Sequence, residues 1–141
     1  MSLQAVLSPV FVQVALTFVL LFAMGRLRIQ ALRRGEVKIR DIALREKVWP
    51  PRVTQLENAF HNQLELPSLF YVAVLLAIAT RTADTAFVAL AWVFVAARLV
   101  HALIHTSTNN VRHRLAAFLV GAAVLLLMWI VLALRVLFPG G

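Results

Sequence analysis

The sequence predicts an all-α integral membrane protein, a four-transmembrane-helix antiparallel bundle, and three observations predict it. Hydrophobic residues make up 62% of the chain and charged residues only 14%, against about 45–50% and about 25% in soluble domains. The outer surface must therefore face lipid. Four segments approach the roughly 20 apolar residues that a helix needs to cross a hydrocarbon core about 30 Å thick. Positive charge is also concentrated directly after the first of them. The length of 141 residues fits one domain spanning the whole chain.

The first segment, 6–24, is interrupted only by Ser8, Pro9, Gln13 and Thr17. It lacks a basic stretch before its apolar core and a small-residue cleavage site after it, so it reads as a retained helix rather than a signal peptide. The second, 64–80, has a short apolar part containing Pro67 and reads as a span only if the helix starts upstream, near Arg52. The third, 86–104, is apolar except for Arg98 and His101, and the fourth, 115–134, carries no charge at all. Helices are expected at about 4–32, 52–81, 84–107 and 112–138, with a basic loop at 33–51. The short connections at 81–85 and 106–112 make neighbouring helices antiparallel.

Formal net charge is +8, which by itself would suit nucleic acid. Its distribution argues otherwise, because nine of the fourteen basic residues lie between Arg26 and Arg52, beside an apolar span. A juxtamembrane loop facing anionic membrane lipids explains this better, and no nucleic-acid partner is expected. The loop before the last helix adds Arg112 and Arg114. By the Lys/Arg asymmetry the first and third loops face the cytoplasm and both termini face outward. The chain has no cysteine, which excludes disulfides, thiolate metal sites and a cysteine nucleophile.

The informative residues are those that a bilayer penalises, since a charge at a helix centre costs about 2.5–3.5 kcal/mol on insertion scales. Asn58, His61, Asn62 and Glu65 stand at i, i+3, i+4 and i+7, one stripe of a helix. Pro67 follows, cannot donate to the Gln63 carbonyl, and is expected to kink the helix there. In the third helix Arg98, His101 and His105 form a second stripe at i, i+3 and i+7. The fourth helix opens with Arg112, His113 and Arg114 at the same membrane face as His105. Glu65 paired with Arg98 as a buried bridge is one structural reading of these groups. The two histidines have the spacing of metal ligands, but no third ligand is evident, so hydrogen-bonded packing or ligand contact explains them better and no metal is expected. Arg112 and Arg114 also suit positive-inside anchors. The small-residue run at Ala116, Ala117, Gly121 and Ala122 suits helix packing. Together the polar groups describe a cation-rich cleft suited to an anionic, peptide-like small molecule that also bears an amino group.

The stretch from Asn58 to Glu65, with Pro67 after it, resembles the signature of the MAPEG family (membrane-associated proteins in eicosanoid and glutathione metabolism), bacterial-type. Ala97-Arg98-Leu99-Val100-His101 with His105, and Arg34 to Arg40 after the first helix, are similar to it too. The resemblance covers nearly the whole chain. It implies a homotrimer in which glutathione, as co-substrate, sits between protomers near the cytoplasmic face of a bacterial inner membrane. Asn62 and Glu65 would hydrogen-bond the glutathione backbone and amino group, and Asn58 occupies a signature position of the same stripe. Lys38 or Arg40, His61 and Arg98 would meet its carboxylates, and His101 and His105 would line the pocket. Arg114, or Arg112, would stabilise the thiolate. The implied function is a membrane-bound glutathione-dependent transferase or peroxidase acting on lipophilic electrophiles. Asn58 replaces a signature arginine, Phe118 falls where some relatives carry a tyrosine close to the thiol, and Leu115 where prostaglandin E synthases have serine; these departures count against prostaglandin isomerase and leukotriene synthase chemistry. Two other classes fit the residues: a catalytically silent membrane binding protein of the same fold, favoured by Asn58, and a small transporter, disfavoured by the lack of an inverted repeat.

Overall fold

A computed structural model describes residues 1–43 and 48–138. The described residues form helices and connecting turns with no strand. α1 is Leu3–Arg33, α2 Pro51–His61, α3 Leu66–Ala79, α4 Thr85–Thr106 and α5 Val111–Leu137. α2 and α3 are joined by a single 3-10 turn, Asn62–Leu64, and together act as one span, so four helical stretches are long and apolar enough to cross a membrane.

Local chemistry sets the ends of these helices. Ser2 caps α1 by accepting from the Ala5 N–H at 3.3 Å. Pro9 lies inside α1 and has no N–H for the Ala5 carbonyl; the Ser8 hydroxyl donates to that carbonyl instead, at 3.1 Å. Gly35 takes φ +71, the left-handed conformation in which glycine closes a helix, and the Glu36 N–H returns to the Ala31 carbonyl at 3.0 Å. A second 3-10 turn, Ile39–Ile42, follows. Pro51 opens α2, where its missing N–H is no loss. Asp84 caps α4 through the Phe87 N–H at 2.8 Å, and Asn110 caps α5 through the Arg112 and His113 N–H groups.

Packing falls into layers along the bundle. At the end holding the α3–α4 turn, Phe70, Ala73 and Ala77 of α3 meet Phe87, Ala91 and Phe94 of α4 and Leu125, Met128 and Leu132 of α5. Phe70 and Phe94 stack at 4.6 Å. At the opposite end Leu20 and Met24 of α1 pack on Leu56 and Ala59 of α2 and Ala102 of α4. Between the two layers lies a buried polar belt of Gln13, Gln63 and Arg98. Arg28 bridges α1 to Glu57 of α2 at 2.8 Å and stacks over Trp49 at 4.9 Å. Gln55 of α2 donates to the His105 carbonyl at 2.7 Å, and Arg52 donates to the Thr106 carbonyl, so α2 satisfies the last carbonyls of α4. At the far end Arg135 of α5 grips Asp84 through two bonds, 2.9 and 2.6 Å.

Candidate functional site

The site is built around the interruption between α2 and α3. With no N–H at Pro67 the α-helical ladder cannot run through, and Glu65 sits at φ −90, ψ −102, outside helical geometry. The carbonyl left without its α-helical donor by Pro67 is that of Gln63, and at the adjoining residue the Arg98 guanidinium of α4 donates to the Asn62 carbonyl at 2.8 Å. The Asn62 side chain donates back to the Asn58 carbonyl at 3.3 Å. The interruption that the proline predicts is therefore a fixed turn, held from a neighbouring helix.

α4 supplies the buried part. Arg98 is 0% exposed, and His101 and His105 are 3% exposed each; their spacing places them on the inner face of one helix. The two imidazoles meet edge-on with centroids 5.6 Å apart, and His101 lies 6.0 Å from the Phe118 ring of α5. Among the described residues, Nε and Nη1 of Arg98 and Nδ1 of both histidines are buried without a hydrogen-bond partner.

α5 supplies the cation. Asn109 adopts φ +51, a left-handed position that asparagine tolerates, and its side-chain oxygen accepts from Arg114. Arg114, half-buried, lines a cavity of about 240 Å³ together with Asn62, His101, Val111, Leu115 and Phe118. The lining mixes a cation and hydrogen-bonding groups with apolar side chains, and Arg114 shares its helix face with Val111, Leu115 and Phe118. Arg112 is exposed and outside this lining.

The structure thus brings together Asn62, His101 and Arg114, with Arg98 and His105 directly behind them. The remaining candidates lie on the surface of the protomer. Asn58, His61 and Glu65 are exposed, His61 resting against the Phe60 ring at 5.8 Å. Lys38 and Arg40 are exposed in the first loop, Arg40 beside Asp41 at 3.5 Å. Arg98 does not make the buried bridge to Glu65 that its position allows: its hydrogen bond goes to the backbone at Asn62, while the Glu65 side chain, just past the 3-10 turn, stays exposed. Two participants were not legible as such. Gln13 interrupts an apolar span, which marks it as unusual, but only the tertiary contact shows that it meets Gln63 at 3.0 Å. Asn109, the partner of Arg114, carries no signal beyond its place in a turn.

No curated protein and no solved structure matches the chain. The model of the MAPEG family does, over residues 6–134.

Proposed function

The chain belongs to the MAPEG family, and from that premise we propose that it is a membrane-bound glutathione-dependent transferase or peroxidase acting on lipophilic electrophiles. Family membership makes it a membrane protein of glutathione or eicosanoid metabolism, and members of the family use glutathione. The observation that carries the finer reading is the mixed lining of the cavity: Arg114 stands among Val111, Leu115 and Phe118 on one face of α5, and Asn62 and His101 add polar groups from the neighbouring elements.

The residues suit the chemistry. A free thiol titrates near pH 8.5, and the thiolate is the nucleophile; a guanidinium in a low-dielectric site lowers that value. Arg114 supplies this charge at the cytoplasmic end of α5. Asn62 and His101 line the cavity and offer hydrogen bonds that orient a peptide, with Arg98 and His105 buried behind them. The apolar residues Val111, Leu115 and Phe118 suit a lipophilic electrophile arriving through the bilayer. For a peroxidase the same thiolate attacks the terminal hydroperoxide oxygen, the O–O bond breaks and the alkoxide leaves as an alcohol after protonation; a second glutathione then reduces the sulfenic acid, giving the disulfide and water.

At about 240 Å³ the cavity falls short of the roughly 300–1,000 Å³ of complete ligand sites. We read it as one protomer's share of a site completed in a homotrimer, where a neighbour's exposed His61, Glu65, Lys38 or Arg40 would close it. The proposed orientation keeps these groups on the cytoplasmic side, where glutathione is available.

The test is thermal stability of the detergent-purified protein with millimolar glutathione. The wild type should gain stability with concentration, by about 2.7 kcal/mol at one hundred times Kd, and Asn62→Ala/Glu65→Gln should not. A folded wild type that shows no response would sink the glutathione reading. The catalytically silent binding protein, which Asn58 in place of a cation favours, would instead show the shift without turnover.

A further inference from the structure

We propose that Gln13 of α1 and Gln63 are positioning residues: their buried amide pair fixes the conformation of the turn that carries Asn62 and Glu65. The inference uses the reading of Asn62 above, but the brace itself stands on geometry. Gln13 is 0% and Gln63 1% exposed. The Gln13 amide donates to Oε1 of Gln63 at 3.0 Å, and Nε2 of Gln63 donates to the Ala59 carbonyl at 3.1 Å. From the other side Arg98 donates to the Asn62 carbonyl at 2.8 Å.

The turn has two adjacent residues, Asn62 and Gln63, each held from a different helix. Pro67 takes away the α-helical bond to the Gln63 carbonyl, so side chains from α1 and α4 reinforce the 3-10 turn's own backbone bonds. A broken helix in a membrane survives only where neighbouring groups satisfy its freed backbone. α1 reaches the turn through Gln13 alone among the hydrogen bonds of the described residues. Gln13 does not line the cavity, so any effect it has on ligand binding must pass through the turn.

The brace predicts a response that plain packing would not give. Gln13→Leu leaves Oε1 of Gln63 buried without its donor and should lower stability. Gln13→Leu/Gln63→Leu removes both amides, leaves two apolar side chains facing each other, and should recover thermal stability. The turn should nevertheless stay loosened in both variants. Amide hydrogen exchange over residues 62–66 in the ligand-free protein should quicken about fivefold, the factor that one net hydrogen bond is worth, while exchange in α5 is unchanged. The glutathione Kd fitted to the concentration dependence of the stabilisation should rise by about the same factor. If Gln13→Leu does not fold, the double variant carries the test. Wild-type exchange at 62–66 in a folded double variant overturns the brace. Faster exchange with unaltered glutathione response overturns the positioning role. A wild type that ignores glutathione counts against the proposed function instead, and the exchange result still decides whether the amide pair holds the turn.

Discussion

Two arginines open α5, and their surroundings separate them. Arg114 is half-buried, held by Asn109, and lines the cavity; Arg112 is exposed and its backbone N–H donates to Asn110. A preorganised donor facing developing charge is worth about 10²–10³ in rate. Arg114→Ser should therefore lower turnover with glutathione by about that factor, with glutathione-induced stabilisation largely kept, as steady-state kinetics beside a melting curve will show. Arg112→Ser should lower turnover much less; the reverse order would move the role to Arg112. Both arginines are visible in the sequence as a pair, and nothing in their spacing ranks them. The turn geometry at Asn109 does, because it commits one guanidinium to the cavity wall.

At the level of helices, the α4–α5 pair and the α3–α4 turn make separate predictions. Gly121 of α5 faces α4, and a methyl group there would meet the Ala97 Cβ at 3.7 Å and the Arg98 Cδ at 3.8 Å, ordinary contact distances. Gly121→Ala should fold normally and gain up to about 1 kcal/mol from helix propensity. Gly121→Leu overfills the contact and should lose about 1–3 kcal/mol, measured by thermal or denaturant unfolding in detergent. At the other end, Asp84 has its carboxyl held below the ordinary carboxylate range, first by the hydrogen bond from Arg135 and then by the Phe87 N–H. A depressed folded-state value means stabilisation that is present above the unfolded pKa of about 3.9 and lost as pH falls through the folded one. Melting temperature should accordingly drop on acidification below that range. Asp84→Asn, which keeps a capping oxygen but not the charge, should flatten this part of the profile. An unchanged acid limb would show that the pair contributes nothing measurable, a common result for exposed ion pairs.

The whole molecule presents apolar side chains outward along every span, among them Phe11, Phe18, Phe22, Leu75, Leu103, Leu119 and Leu126. A protomer so built must be covered by lipid or by copies of itself. The homotrimer proposed above should appear as three-protomer mass in native mass spectrometry from detergent, and a stable monomer with full turnover would count against shared sites. Orientation has its own test. The chain has no cysteine, so single cysteines at the exposed Thr85 and Thr108 report their side without background. In sealed vesicles of known orientation, Thr108→Cys should label from the cytoplasmic side and Thr85→Cys from the opposite side.

The sequence by itself determined that this is a four-span helical membrane protein. Apolar runs of bilayer length leave a chain no other way to satisfy its backbone, and Pro67 announced where one span is interrupted. It also determined which groups are out of place in lipid, and so which positions were candidates: Asn58, His61, Asn62, Glu65, Arg98, His101, His105 and the arginines of α5. What it could not rank is which of these share one space. Helical periodicity assigns a face but does not say which neighbour the face meets, and the stripe from Asn58 to Glu65 assumes a ladder that Pro67 breaks. Tertiary structure alone decided that Arg98 turns to the Asn62 backbone, that Asn62, His101 and Arg114 wall one cavity, and that Gln13 reaches across from α1 to Gln63. These are contacts between residues 36 and 50 positions apart at the turn, and partners at such separations are chosen by how helices pack, which no local pattern encodes.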